Sequence, residues 1–242
     1  MKELPFDPYD FFGYLAAGIV VLVGLELTIG VPHVLRREFG AFDLVVIGLL
    51  TYVIGQMVAT PAQWILEDLI VSCLLKRPVE NLLRPKESRR PLLHRLVFPG
   101  YYSPLPESVQ KRVISKAVAE GLSEASADES LFLHVRFRDY IRQDEALMAR
   151  LGAFLNKYGF NRNLSFVAFL FGIAVMLSNP FDLSTDVTRY ALLSLGAGVL
   201  LFYRYIKFFR QYSYELFNAY AGRDSATVRP VKTTAARKGG AP

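Results

Sequence analysis

Four apolar runs set the limits on how this chain folds: Phe11–Ile29, Phe42–Ala59, Leu164–Leu177 (extendable to Phe181) and Tyr190–Phe209. They come as two close pairs on either side of a charge-rich middle, Pro61–Asn163. A helix rises 1.5 Å per residue and a bilayer's hydrocarbon core is about 30 Å thick, so runs of this length predict spanning helices. The fold class expected is an all-α integral membrane protein. Two transmembrane helical hairpins, four spans in all, are joined by a helical cytoplasmic segment. The expected divisions are an N-terminal hairpin over 1–60, with spans at about 11–29 and 42–59, and a cytoplasmic helical segment over 61–163. A C-terminal hairpin with an interfacial helix follows over 164–222, with spans at about 164–181 and 190–209, and then a disordered basic tail over 223–242.

Composition agrees with a mixed character. Apolar residues make up 52% of the chain and charged residues 21%, and the mean hydropathy is +0.26. Spanning helices alone would carry less charge, and a soluble domain less apolar surface. Cys73 is the one cysteine, which excludes an intramolecular disulfide. The net charge of +6 points first to anionic lipid on the cytoplasmic side and only then to nucleic acid.

The first run is preceded by Lys2, Glu3, Asp7 and Asp10, where a secretory signal would be basic, so it reads as a retained helix. Glu26 lies near its end, ahead of the helix-stopping Gly30 and Pro32, and reads as an interfacial carboxylate. In the second run Thr51, Gly55 and Ala59 recur every four residues, a small-residue face that allows close helix approach. Internal packing and oligomerisation both use such a face, and internal packing is the more economical. Thr60–Pro61 reads as a cap and first helical position, with a kink or break between the second run and an amphipathic helix, AQWILEDLIVSCLL. There Trp64 suits the headgroup region while Glu67 and Asp68 face water.

Six prolines between Pro78 and Pro106 make that stretch mostly connection, with Leu92–Phe98 an apolar turn or short strand. Helix resumes at Pro106–Glu107 and stops at Gly121. Ser126 with Glu129 matches a capping box, and a long helix is expected from about Asp128 to Tyr158, although Leu131–Phe137 alternates like a strand. Arg138 and Arg142 with Asp139 and Asp144 read as a solvated face. Gly159 interrupts, and Asn161, Arg162 and Asn163 mark the water–lipid boundary, with Arg162 snorkelling to headgroups. Asn179–Arg189 reads as a short acidic turn. Arg204, Lys207 and Arg210, set among tyrosines and phenylalanines, read with Trp64 as interfacial anchors.

Arg36, Arg37 and Arg189 are the only bases in the two short turns, whereas the middle segment and C-terminal flank hold nearly all the rest. The positive-inside rule therefore predicts that both termini and the middle segment are cytoplasmic.

No catalytic, metal or nucleotide motif stands out. His33, His94 and His134 lack partners at metal-ligand spacing, and there is no Walker A loop, Rossmann fingerprint or nucleophile elbow. No cofactor is implied. Arg84, Lys86, Arg89, Arg90 and Arg95 are the strongest interaction signal, fitting either anionic headgroups and acidic partners or an ordinary topogenic loop. Nucleic acid is disfavoured because the neighbouring helices are about equally acidic. Three functions follow in order. The first is a non-catalytic sensor, anchor or scaffold whose cytoplasmic helices engage a protein. The second is a small homo-oligomeric channel or transporter with Thr51, Gln56 and Ser194 as lining residues. The third is a lipid-acting enzyme with Glu67, Asp68 and His94 as its available groups.

The phrases PFDPYDFFGYLAAG, TYVIGQMVATPAQWILEDLIV and RLGAFLNKYGFNRNLSF together resemble an uncharacterised group of bacterial four-span inner-membrane proteins. The resemblance implies the same topology, a bacterial source and an inner-membrane location. It brings no activity and assigns no site residue.

Overall fold

The computed structural model describes residues 8–29, 39–83, 98, 100–122, 129–178 and 185–222. Among them the fold is all-helical, with no strand. The order is α1 (Pro8–Ile29), α2 (Ala41–Ala62), a π-helix (Gln63–Leu75), α3 (Pro78–Leu82), α4 (Glu107–Ala119), α5 (Glu129–Arg136), α6 (Asp139–Arg142), α7 (Glu145–Ser178) and α8 (Asp186–Gly222). Three helices are long and apolar enough to cross a membrane: the continuous stretch Ala41–Leu82, and α7 and α8. The described apolar part of α1, Gly13–Glu26, is shorter.

The membrane-length helices pack through small residues. A Cβ built on Gly18 would overlap the Thr51 carbonyl oxygen, and one on Gly55 would overlap that of Tyr14, so α1 and α2 lie backbone to backbone and antiparallel. Thr51 turns its hydroxyl onto the Ile47 and Gly48 carbonyls, at 2.9 and 2.8 Å. Its polar atom is thereby satisfied within its own helix. Ser165 Oγ donates to the Gly198 carbonyl at 2.8 Å and Ser194 Oγ to the Ala168 carbonyl at 2.9 Å, which fixes α7 antiparallel to α8. α1 joins the two pairs by packing on α7, with Gly13 facing Phe160 and Gly24 facing Phe171.

The polar middle builds a core of its own, but not from its own residues alone. Val113, Ala117, Leu131, Val135, Ile141, Leu147 and Leu151 close around Tyr212, Leu216, Phe217 and Tyr220 from the end of α8. Each fully buried side chain of this size contributes about 1.5–3 kcal/mol. α8 therefore runs unbroken from the apolar pair into the middle of the polar core.

Several boundaries differ from expectation. The chain does not break at Thr60–Pro61. α2 continues through Pro61, and the Gln63 amide bonds to both the Ala59 and Thr60 carbonyls. Proline removes one amide donor and crowds the carbonyl four residues earlier, and a wider i→i+5 turn accommodates both effects. Gly159 does not interrupt α7, which passes straight through Asn161–Asn163. The long helix expected over 128–158 is three: it breaks at Phe137–Arg138 and again after Arg142, where Asp144 Oδ1 accepts the Leu147 amide at 3.0 Å and caps α7. α8 starts at Asp186, inside the expected turn, with the Thr188 amide bonding the Thr185 hydroxyl at 3.4 Å. The alternating stretch Leu131–Phe137 is helical through Arg136: Leu131 and Val135 point into the core, while Leu133 and Phe137 remain exposed.

Other boundaries match. α4 starts at Glu107. It ends with Gly121 at φ +97°, the Leu122 amide reaching the Ala117 carbonyl at 3.0 Å and the Gly121 amide that of Val118 at 2.9 Å. That pair of bonds is a Schellman cap, which needs the left-handed backbone glycine adopts freely. His33, Arg36, Arg37, Ser126, the 179–184 turn and the 223–242 tail lie outside the described residues.

Candidate functional site at the polar junction

The π-helix determines where the polar groups of this region point. Its i→i+5 repeat turns Leu66, Val71 and Leu75 inward and leaves Trp64, Leu69 and Leu74 exposed as one outward stripe. It also separates the two neighbouring acids. Asp68 faces outward and meets Arg77 Nη2 at 3.3 Å. Glu67 faces inward, and its Oε2 lies 2.8 Å from Arg162 Nη1 on α7. The expectation that Glu67 faces water is therefore corrected. So is the expectation that Arg162 reaches headgroups, since its side chain is only 9% exposed. A buried guanidinium needs a partner that compensates its lost hydration, and Glu67 is that partner. The flanking asparagines are buried too. Asn161 Nδ2 donates to the Lys157 carbonyl at 2.6 Å, and Asn163 Oδ1 lies 3.4 Å from Arg162 Nε.

An aromatic wall stands behind the pair. Tyr158 stacks on Phe209 with ring centroids 5.3 Å apart, and both rings contact the buried Tyr205. The Arg162 guanidinium lies 5.6 Å from the Tyr158 ring. A cleft of about 470 Å³ opens beside the pair between the π-helix, α3, α5, α7 and α8. Phe132, Tyr158, Phe209 and Tyr212 form its apolar side, and Glu67, Arg77, Glu80, Glu129 and Arg136 its charged side. Its carboxylates are tied up: Glu67 with Arg162, Glu129 with Arg77, and Glu80 with Lys76 at 3.8 Å. Among the described residues no three His, Cys, Asp or Glu side chains gather as a metal-holding group. This arrangement fixes helices to one another.

A second polar network closes the far end of α8. Glu120 Oε2 lies 2.7 Å from Arg138 Nε and 3.0 Å from His134 Nε2, and it accepts the Tyr220 hydroxyl at 2.9 Å. Tyr140 donates to Oε1 at 3.3 Å. Lys116 Nζ reaches the Tyr220 carbonyl at 3.1 Å and sits over the Tyr140 and Tyr220 rings. Burial pushes the Glu120 carboxyl up, but the His134 and Tyr220 hydrogen bonds and the Arg138 charge outweigh it and hold the group below the ordinary carboxylate value. Burial and the adjoining carboxylate hold the Tyr140 and Tyr220 phenols well above theirs. Arg138 therefore belongs to this network rather than to a solvated face.

The remaining expected positions fall as follows. Thr51 and Gly55 are buried against α1, and Ala59 is half-buried. Trp64, Arg204 and Lys207 are exposed, and Arg210 is half-buried with Nη2 on the Ser103 carbonyl at 2.8 Å. Of the pore-lining residues, Ser194 bonds across to α7, the Thr51 hydroxyl bonds within its own helix while its backbone packs on α1, and Gln56 bonds Tyr52 at 2.9 Å. Cys73 is exposed. Arg84, Lys86, Arg89, Arg90, Arg95 and His94 lie outside the described residues.

The Glu67–Arg162 pair and the Glu120 network were both missed from sequence. One signal pointed to the pair: an acid just beyond one apolar run and a base just before the next sit at matching depths. No protein-family model, curated protein or solved structure matches the chain.

Proposed function

We propose that this chain is a four-span protein of the bacterial inner membrane, with both termini cytoplasmic. Its role is that of a non-catalytic sensor or scaffold, whose polar helical part engages a partner protein. The observation that carries this reading is the ion pair between Glu67 and Arg162. It joins the helix that leaves the second apolar run to the helix that leads into the third. Because α7 and α8 continue without a break into the polar core, a shift of the membrane helices is felt there. The outward stripe Trp64, Leu69 and Leu74 extends the apolar surface past Ala59 and suits the lipid boundary. A pore is the weaker reading, since the Ser194 hydroxyl is bonded across to α7 and that of Thr51 within its own helix.

The test is reconstitution paired with affinity capture. Liposomes containing the protein should pass no more ions than empty ones. The full chain should retain a cytosolic protein that is released when Arg162→Met and Glu67→Gln disrupt the junction. Selective ion flux would overturn the scaffold reading.

A further inference from the structure

A recess of about 210 Å³ lies on the side of α8, where the apolar part of that helix gives way to its polar part. Lys207, Arg210 and Gln211 form its floor, and Phe98, Tyr101 and Tyr203 its walls. The walls are held in place. Phe98 stacks on Tyr203 with centroids 6.0 Å apart, and the Tyr101 hydroxyl donates to the Lys76 carbonyl at 2.6 Å. Among the described residues no carboxylate lines the recess. Lys207 and Arg210 make no ion pair among the described residues, in contrast to Arg77 of the junction cleft. Arg210 is braced by the Ser103 carbonyl, and its buried Nε has no acceptor among the described residues. Towards the apolar end of the helix, Leu200, Tyr203 and Lys207 share one face, with Leu200 70% exposed.

We propose that this recess binds the phosphate of an anionic glycerophospholipid. Lys207 and Arg210 meet the phosphodiester, and an acyl chain lies along Tyr203 and Leu200. Two bases that make no ion pair among the described residues, in a lining with no carboxylate among them, select an anion. The apolar strip rising from one side of the site selects a phosphate that carries a chain. The inference rests on the reading that α8 crosses the membrane.

Native mass spectrometry of the full chain, offered equal amounts of phosphatidylglycerol and phosphatidylcholine, tests it. The protein should retain phosphatidylglycerol preferentially. Lys207→Gln and Arg210→Gln should each lower that preference by about tenfold or more, the effect expected of losing a hydrogen bond to a charged group. Lys207→Arg and Arg210→Lys, which keep the charge, should preserve it. Arg204→Gln, on the exposed side of the same helix, should leave it unchanged. Equal retention of the two lipids overturns the site, and an equal loss in Arg204→Gln overturns it in favour of diffuse surface attraction. Displacement of the lipid by glycerol 3-phosphate, tested on the unmodified protein, overturns the lipid assignment in favour of a soluble phosphate. Failure of the membrane reading would show separately, as release of the protein from vesicles by alkaline carbonate whatever their headgroups.

Discussion

Arg162 Nη1 and Glu67 Oε2 are 2.8 Å apart although 95 residues separate them in the chain. Both side chains are largely shielded, at 9% and 15% exposure. Removing one partner strands the other charge. Arg162→Met should destabilise the protein by about 3–5 kcal/mol, while the double change Arg162→Met with Glu67→Met should recover much of that loss. Thermal unfolding in detergent across the four-protein mutant cycle measures the coupling. Additive losses would mean the pair is incidental.

Glu120 predicts an acid-sensitive end of α8. Its folded value lies below the ordinary 4.5, so its contribution is complete above that value and is lost as pH falls through the lower folded one. Protection of the Tyr212–Tyr220 amides, taken relative to their slower intrinsic exchange in acid, should therefore fall on acidification below about 4.5. In Glu120→Gln the same amides should exchange faster at neutral pH and show a flatter acid dependence.

The contact between α1 and α2 leaves no room at Gly18. A methyl there meets the Thr51 carbonyl, whereas one at Gly48 or Gly196 meets nothing within 4 Å. Gly18→Ala should cost about 1–3 kcal/mol, the usual range for overpacking. Gly48→Ala and Gly196→Ala should be neutral or slightly stabilising. Thermal unfolding of the three variants in detergent would report the difference directly.

Lys76 ends the π-helix at φ +66° and ψ 149°, a backbone region that side chains with a Cβ seldom adopt. The Tyr101 hydroxyl and Asn81 amide hold it there through its carbonyl. Lys76→Gly should relieve strain of about 1–3 kcal/mol and raise the unfolding temperature. The exposed pair with Glu80 contributes little to set against that gain.

The helical class and its apolar segments were legible because each rests on local pattern. Run length marks α2, α7 and α8, four-residue spacing marks Thr51 and Gly55, and Gly121 stops α4 through its own backbone freedom. What escaped depends on partners far along the chain. Glu67 and Asp68 look alike until the π-register turns one inward and the other out. Arg162 between two asparagines has the composition of a boundary, and only α7's continuity puts it inside. Arg138 looks like a surface base because Glu120 belongs to another helix. The last part of α8 looked like an interfacial helix, yet Tyr212, Leu216 and Phe217 complete a core assembled from sequence a hundred residues earlier in order of magnitude.

The unbroken course of α8 makes its two halves share one phase. Each residue turns a helix by about 100°, since 3.6 residues complete a turn. Gly198, which receives the Ser165 hydroxyl, and Tyr220, which receives none but donates to Glu120, are thus set at a fixed angle about a common axis. One residue inserted between them would swing the core-facing rings out of the polar bundle. Seven inserted residues, close to two full turns, would restore their azimuth and change only their reach. α8 in this sense works as a keyed shaft: the angle at which it meets α7 sets the angle it presents to the polar helices.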